Sequence, residues 1–544
     1  MDDLAFIPLG GTGEIGMNLN VYRCDGKLLA VDCGIGFGGP DNPAVDVMVP
    51  DPAWLAERQD QLLALVITHA HEDHIGAVAH LWPSLRCPVI GGAFVTSVLR
   101  RKLGEAGLGH DVEIDTVPLP GRRQVGPFDL EFLRVTHSVP EASAVAIRTR
   151  HGTVLHTGDW KLDPHPLIGP PTDESAFARL GEEGVLAMVC DSTNAMVEGH
   201  SGSEAEVRRN LKALIKGLKG RIAVTCFSTN LARVESIALA GQAAGRKVAL
   251  FGRSLRNAVA SARECGYLES VHDFVTEEEA GFLPDDEMLI ICTGSQGEER
   301  SALAKIAADT HPNISMGEGD TVIFSSRMIP GNERGILHVQ DELTRAGCNV
   351  MTADDHAVHV SGHPARDELR KLYALVKPKY AVPVHGEWRH MSAHADLAED
   401  AGAEAIVIED GDVLRLSGPE PKVTGSVPVG RLAVDGNRLL PLQGGVMGAR
   451  KRMLFNGVVV ASLAVDEAGR IVGRPRVSAP GLFEAEGPEP GQLADELARG
   501  VGELPKGLRR EDDALAEAAR GVLRKAVGRR LKKRPNVEVH LLRV

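Results

Sequence analysis

The sequence predicts an α/β protein. A metal-binding domain is interrupted by a second, parallel α/β domain and followed by a small α+β unit. Three observations carry this reading. Residues 68–76 read Thr-His-Ala-His-Glu-Asp-His-Ile-Gly and place four candidate metal ligands, His69, His71, Asp73 and His74, within six residues. Short apolar strands recur along the chain, and each leaves into a polar, ligand-type residue. Between residues 204 and about 350 that habit gives way to alternating strands and helices with polar loops, and after 351 it returns.

The histidine cluster follows Leu62-Leu63-Ala64-Leu65-Val66-Ile67, a short continuous apolar run that predicts a buried strand. Residues 76–81 then read as the start of a helix. Imidazole and carboxylate together suit Zn2+ or a similar divalent ion. Two histidines one residue apart, followed by an adjacent Asp and His, can feed two neighbouring metals. A lone histidine is usually an ordinary core or surface residue, but that explanation fits poorly for four ligands packed at one strand end.

Taken in order, the chain opens with a strand over 4–9 that runs into Gly10-Gly11-Thr12-Gly13-Glu14-Ile15-Gly16. Residues 11–16 match Gly-x-Gly-x-x-Gly, yet a dinucleotide site needs a helix next. Residues 18–22 alternate like a strand and Asp25-Gly26 reads as a hairpin turn, so the glycines are expected to form a turn between strands. The strand over 27–31 ends at Asp32, which either caps that turn or orients the metal site. The strand over 130–136 ends at His137-Ser138, that over 153–157 at Gly158-Asp159, and that over 185–189 at Cys190-Asp191.

Near residue 203 the pattern changes. Ser203-Glu204-Ala205-Glu206 predicts a capping box. Val207, Leu211, Leu214, Ile215 and Leu218 give the following helix one apolar face. Strands are expected at 221–226, 247–251, 288–292 and 321–324. The intervening loops are 227–230, Thr293-Gly294-Ser295-Gln296-Gly297-Glu298, and one holding Pro330-Gly331-Asn332-Glu333. Ligands of parallel sheets bind beyond the strand C-termini, although ordinary turn chemistry explains each loop singly. The first pattern resumes with His359-Val360-Ser361-Gly362-His363 and with the strand 380–384 leading to His385-Gly386-Glu387. The expected organisation is therefore 1–203 and 351–450 as two parts of one domain, 204–350 as an insertion, and 451–544 as a linker with a C-terminal domain. In the last of these, residues 480–491 read as linker, with an alanine-rich helix from 512 and a strand over 537–544 beyond it.

Bulk properties narrow the function. A chain of 544 residues holds two to four domains, and 43% hydrophobic with 25% charged residues is ordinary for a globular protein. The eight cysteines are scattered without a Cys-x-x-Cys pair and read as reduced, buried side chains. Residues 1–4 carry no basic, apolar leader, and no apolar run approaches about 18 residues, so a cytoplasmic protein without a membrane span is expected. The net charge of −14 argues against a generally basic nucleic-acid surface, but a local cleft decides such binding. Residues 506–544 are basic, with Arg529-Arg530-Leu531-Lys532-Lys533-Arg534 at the centre; a solvated helix end accounts for such a run as readily as a binding patch.

The His-x-His-x-Asp-His pattern resembles the signature of the metallo-β-lactamase superfamily. The motif set as a whole resembles the ribonuclease J family of its β-CASP branch. Gly-Glu-Ile-Gly at 13–16, the cluster at 68–76, His-Ser at 137–138, Thr-Gly-Asp at 157–159 and Asp-Ser-Thr-Asn at 191–194 carry it. The motifs at 293–298, 330–333, 359–363 and 383–387 complete it. Glu141 and Trp160 depart from the family's usual Asp and Phe, and the C-terminal segment matches weakly.

The resemblance implies an αββα sandwich with an inserted β-CASP domain and a C-terminal domain used in forming a homodimer or homotetramer. It implies one zinc held by His69, His71, His137 and Asp159, and a second held by Asp73, His74, His385 and the shared Asp159. Two such ions would activate water between them and neutralise charge growing on the phosphoryl oxygens. Asp73 would also assist proton transfer, His363 would stabilise the transition state or protonate the leaving oxygen, and Asp191 would support the site from behind. Ser228, Thr229 and Asn230 would contact the 5′ nucleotide. His359, Val360, Ser361, Gly362 and His363 would cradle phosphate.

The expected activity is therefore zinc-dependent hydrolysis of single-stranded RNA, 5′-to-3′ and internally, favouring 5′-monophosphate ends, in RNA processing and decay. A small-molecule metallohydrolase of the same fold and an inactive RNA-binding scaffold are the rivals. The insertion counts against the first, and the complete ligand set counts against the second.

Overall fold

The computed structural model describes residues 3–39, 42–43, 45–329 and 331–544. Pro330 of the Pro-Gly-Asn-Glu motif lies outside the described residues. Two compact units are present, one comprising residues 1–39 and 47–431 and the other 40–46 and 432–544.

The first unit is built on two large sheets. One has eight strands in the order Lys422–Ser426, Asp412–Arg415, Leu4–Gly10, Leu19–Cys24, Lys27–Val31, Leu62–Val66, Val89–Gly91 and Ile114–Thr116. The other has seven, in the order Gly121–Val125, Phe128–Arg134, Ser143–Thr149, Gly152–His156, Ala187–Asp191, Tyr380–Val384 and Glu404–Ala405. Their inner faces share one core, in which Phe6, Tyr22, Leu29 and Val66 meet Phe128, Phe132, Val145 and Val382. Removing this much apolar surface from water is the main favourable term holding the sandwich. Helices such as Trp388–Asp400, which packs on Tyr380–Val384, cover it. This is the expected sandwich.

The glycine-rich turn also behaves as expected. The chain leaves Gly16 into the strand Leu19–Cys24, not into a helix. Asp25 and Gly26 both take positive φ, 53° and 74°, the geometry of a two-residue hairpin that an Asp-Gly pair supplies.

Between the fifth and sixth strands of the seven-stranded sheet, Ala187–Asp191 and Tyr380–Val384, the chain builds a separate parallel sheet. Its order is Lys247–Phe251, Met288–Cys292, Ile222–Thr225, Thr321–Phe324 and Asn349–Met351. The strand before the insertion and the strand after it then pair directly, Asp191 opposite Val384. The helix Glu204–Gly217 opens this part. It differs from the expected capping box in that the Ser203 side chain accepts from the Ala205 amide and not from that of Glu206; the first helical residue, Glu204, turns inward to Arg233. Val207, Leu211 and Ile215 form its buried stripe.

In the second unit, Val458–Val465 is flanked by Ile471–Ser478, antiparallel, and Asn536–Arg543, parallel. Alternate residues Val459, Ala461, Leu463 and Val465 are buried against the helices Glu489–Gly502 and Asp512–Leu531. Residues 480–491, expected as a linker, thus lie inside this unit: 480–488 connect a strand to a helix and 489–491 open that helix. The Pro and Gly content there serves a turn. In the basic run, Arg529 and Arg530 both pair with Glu496 on the neighbouring helix, which favours the reading of a charged helix end.

Candidate metal centre

The histidine loop is clamped from below. The Cys33 amide donates to the His74 carbonyl at 2.7 Å, Ile35 to Glu72 at 3.0 Å, and Asn18 to Asp73 at 3.0 Å. Gly34 makes this approach possible, since a Cβ there would stand 1.6 Å from the Asp73 carbonyl oxygen. The short helix Glu72–Ile75 then turns Asp73 and His74 back toward His69.

Six of the seven predicted ligands converge on Asp159, whose Oδ2 lies 3.2 Å from His74 Nε2, 3.5 Å from His385 Nε2, 3.7 Å from His69 Nε2 and 3.8 Å from His137 Nε2. His71 joins through Nδ1, 3.2 Å from His69 Nε2 and 2.9 Å from His137 Nε2. Asp73 Oδ2 is 3.7 Å from both His74 and His385. The predicted ligands thus fall into two four-membered donor sets, His69/His71/His137/Asp159 and Asp73/His74/Asp159/His385, sharing Asp159; a third group, Asp159/Asp191/His363/His385, overlaps them. Asp73, 28% exposed, is the member nearest solvent. Asp159 Oδ1 and His385 Nε2 are buried without any hydrogen-bond partner. Buried polar atoms are rarely left so, and an unpaired carboxylate oxygen beside inward imidazoles is what a cation site demands. Nitrogen and oxygen donors in fours fit a pair of divalent ions.

Partners behind the rings fix their orientation. His137 Nδ1 donates to the Gly362 carbonyl at 2.6 Å, leaving Nε2 for the centre. His74 Nδ1 donates to Asp32 Oδ2 at 2.8 Å, and His385 Nδ1 to Asn18 Oδ1 at 3.0 Å. Of its two sequence readings, Asp32 takes the one toward the histidine cluster: fully buried at φ 64°, it also accepts from the Thr68 amide and hydroxyl. His385 arrives with φ 53°, its amide donating to the Gly11 carbonyl at 2.7 Å, where Thr12–Gly13 pairs with Gly386–Glu387. Asn18 was not legible as a site residue. Nothing local marks it, because its partner lies 367 positions away.

Electrostatics divide the rings. Burial pushes His69 and His137 well below the usual imidazole range and His71 down to about 4, so these three are neutral donors near pH 7. Burial opposes charge on His74 too, but the carboxylates of Asp159, Asp32 and Asp73 prevail and hold it well above its ordinary value. For Asp159, burial would raise the carboxyl, yet His385, His74 and His363 keep it well below the carboxylate range.

Beside this centre stands His363. Its Nδ1 is 2.8 Å from Asp191 Oδ2 and 3.8 Å from Asp159 Oδ2. Burial acts to lower it, and Asp191 and Asp159 outweigh this, raising it to about 9. The turn carrying it is braced by Asn194, whose Nδ2 donates to Ser361 Oγ at 2.8 Å and to the His363 carbonyl at 3.1 Å. Gly362 is required by close approach: a Cβ would lie 2.6 Å from His137 Cε1. His359 and Val360 are half-buried, with His359 held down to about 3 by burial and the nearby Arg233. Arg233, fully buried, pairs with Glu204 at 2.8 Å and donates to the Ser325 and Val358 carbonyls, so the insertion props the 358–363 segment directly. Ser228 and Thr229 are half-buried, whereas Asn230 is turned inward, its side chain accepting from the Arg233 amide. Of the departures, Trp160 is buried, and Glu141 accepts from the Phe94 amide and from Tyr267 of the insertion.

A two-sheet sandwich with this centre and an inserted parallel sheet defines a metallo-β-lactamase-fold chain of the β-CASP type. Residues 19–218 match the profile of the Metallo-beta-lactamase superfamily, 219–343 the Ribonuclease J beta-CASP domain, 352–408 the Zn-dependent metallo-hydrolase RNA specificity domain, and 445–544 the Ribonuclease J C-terminal domain. Ribonuclease J of Sinorhizobium meliloti is 43% identical over 551 residues, spanning 100% of this chain and 98% of its own. Ribonuclease J of Mycolicibacterium smegmatis is 40% identical, with 97% and 95% covered, and that of Thermus thermophilus 36%, with 97% and 94% covered. The chain belongs to the ribonuclease J family. Among solved structures, a protein of unknown function from Enterococcus faecalis V583 shares the fold, with a TM-score of 0.51 at 17% identity, over 76% of this chain and 100% of that one.

Proposed function

We propose that this chain is a metal-dependent ribonuclease that hydrolyses phosphodiester bonds of single-stranded RNA, both from the 5′ end and internally, in RNA processing and decay. The observation that carries the reading is the convergence of both halves of the split domain on Asp159, with the His363–Asp191 pair alongside. Full-length relatives named Ribonuclease J support the substrate class.

His69, His71, His137 and Asp159 would hold one ion and Asp73, His74, His385 and Asp159 the other, both zinc, as the donor chemistry suits. Such ions supply Lewis acidity and lower the pKa of water. The chain's own groups do the rest. Asp73, the most open carboxylate, assists proton transfer while it serves as a donor. His363, carrying a proton on each ring nitrogen below about pH 9, donates from Nδ1 to Asp191 and keeps Nε2–H for the departing oxygen. Ser361, Gly362 and the amides around them, with His359 and Val360, form the phosphate cradle, while Ser228 and Thr229 contact the 5′ nucleotide and Asn230 holds their loop. Among the described residues no helix is long and apolar enough to cross a membrane; a cytoplasmic homodimer or homotetramer is part of the proposal.

The test is to give zinc-loaded protein RNAs bearing 5′-monophosphate or 5′-triphosphate ends and to resolve the products. Mononucleotides from the monophosphate form, and internal fragments from either, are expected. Intact RNA alongside hydrolysed ester substrates would refute the reading.

A further inference from the structure

At the opposite end of the sandwich from Asp159, two hairpins meet. One joins Leu19–Cys24 to Lys27–Val31 in the eight-stranded sheet, with Cys24 opposite Lys27. The other joins Ser143–Thr149 to Gly152–His156 in the seven-stranded sheet, with Thr149 opposite Gly152. The strands Lys27–Val31 and Gly152–His156 each start at a hairpin and run four steps, about 13 Å, toward the catalytic end. Between the hairpins the ligand atoms of Cys24, Asp25 and His151 lie within 4.8 Å of one another.

We propose that Cys24, Asp25 and His151 form a further metal site, for a thiophilic divalent ion of the zinc class, that fastens one sheet to the other. The donor set is one sulfur, one carboxylate oxygen and one imidazole nitrogen. That mixture selects zinc-like ions over magnesium or calcium, which take oxygen alone. It also differs from the Asp159 centre, which contains no thiol. The site is reachable from solvent, since the Asp25 and His151 side chains are 27% and 19% exposed, while Cys24 closes it from the core.

In this structure Arg150 Nη2 sits 2.7 Å from Asp25 Oδ1, and its Nε lies 3.4 Å from His151 Nε2. That guanidinium is 56% exposed, and ion pairs of this kind are weak, so a divalent ion displaces it at small cost. Burial raises the Cys24 thiol to about 11, with Asp25 adding to the effect. Coordination therefore replaces the S–H bond with an S–metal bond and releases the proton to solvent. With the fourth position left to water, the three ligands make an open tetrahedral site.

The experiment is a Co2+ titration of full-length, chelator-stripped protein followed by absorption. A near-ultraviolet thiolate-to-cobalt charge-transfer band is expected, because the Asp159 centre offers only nitrogen and oxygen. The band should vanish in Cys24→Ser and in His151→Ala, each binding one equivalent of metal fewer, while the visible cobalt bands of the Asp159 centre stay. His151 lies on an exposed hairpin, so its variant folds even if the Cys24 variant does not. No near-ultraviolet band in the parent protein overturns the proposal. So does a band that survives His151→Ala.

Discussion

His363 Nδ1 lies 2.8 Å from Asp191 Oδ2 across 172 positions of sequence. The pair joins the end of the strand before the insertion to the turn after it. Asp191 is the largest of the contributions that raise His363 against its burial. The pH profile follows. A general acid at His363 is protonated below about 9, so kcat/KM for RNA should fall as pH rises through that value. Asp191→Asn removes the supporting charge. The alkaline limb should move to lower pH, with activity at neutral pH down by about 10- to 100-fold. An unmoved limb would exclude His363 as the acid.

His71→Ala and Asp73→Ala test the centre itself. Each removes a donor from one set while the surrounding strands stay packed. Cleavage of single-stranded RNA should drop by at least about a hundredfold, with bound zinc reduced and the circular dichroism spectrum unchanged. Retained cleavage would show that the cluster is not the reactive centre.

Gly362→Ala separates close approach from chemistry. The new Cβ meets His137 Cε1 at 2.6 Å, and the His137 ring is tethered to the same residue's carbonyl. Overpacking of this kind costs about 1–3 kcal/mol. The expected result is a lower melting temperature together with weaker metal retention, measured on one preparation by calorimetry and metal analysis.

Arg233 and Glu204 are 0% and 3% exposed and hold each other at 2.8 Å. Arg233→Met leaves Glu204 buried and unpaired, which costs about 3–5 kcal/mol. Denaturant unfolding should show the loss. RNA cleavage should fall with it, because the 358–363 segment loses its support at the Val358 carbonyl.

Asp410, a member of neither donor set, predicts a pH-dependent stability. Burial, with Glu14 nearby, raises its carboxyl to about 7, and it accepts from the Thr12 amide at 3.1 Å. The folded state thus binds a proton more tightly than the unfolded chain does. This group's contribution declines as pH climbs from the unfolded value near 4 to about 7. Asp410→Asn cannot titrate, so its melting temperature should fall less than the parent's over that window. Parallel curves would remove Asp410 as the source.

The sequence exposed the candidate ligands because each sits where a short apolar strand stops. His137, Asp159 and His385 are legible for that reason, and Asp191 likewise. The groups that aim those ligands were less legible. Asn18 follows a glycine turn and looks like any strand-opening asparagine, yet it orients His385 and contacts His74. Arg233 looks like a surface helix residue, and only the fold shows it fully buried. Ser203 still caps its helix through the Ala205 amide, and the local pattern gave no sign that Glu204 beside it is buried against Arg233. The proline and glycine of residues 480–491 signal a turn, and turn chemistry alone does not distinguish a bend within a unit from a boundary between units.

The dependence of the centre on His385 also bears on how the protein is made. The Gly11 carbonyl and the Asn18 side chain, at the very start of the chain, wait for a residue nearly four hundred positions later. While the ribosome is still translating the insertion, the emerging polypeptide has only one of the two donor sets complete. On the proposed reading, a nascent chain still tethered to its messenger would hold one donor set but not the second, and activity would have to wait until His385 has left the exit tunnel and docked beside Gly11.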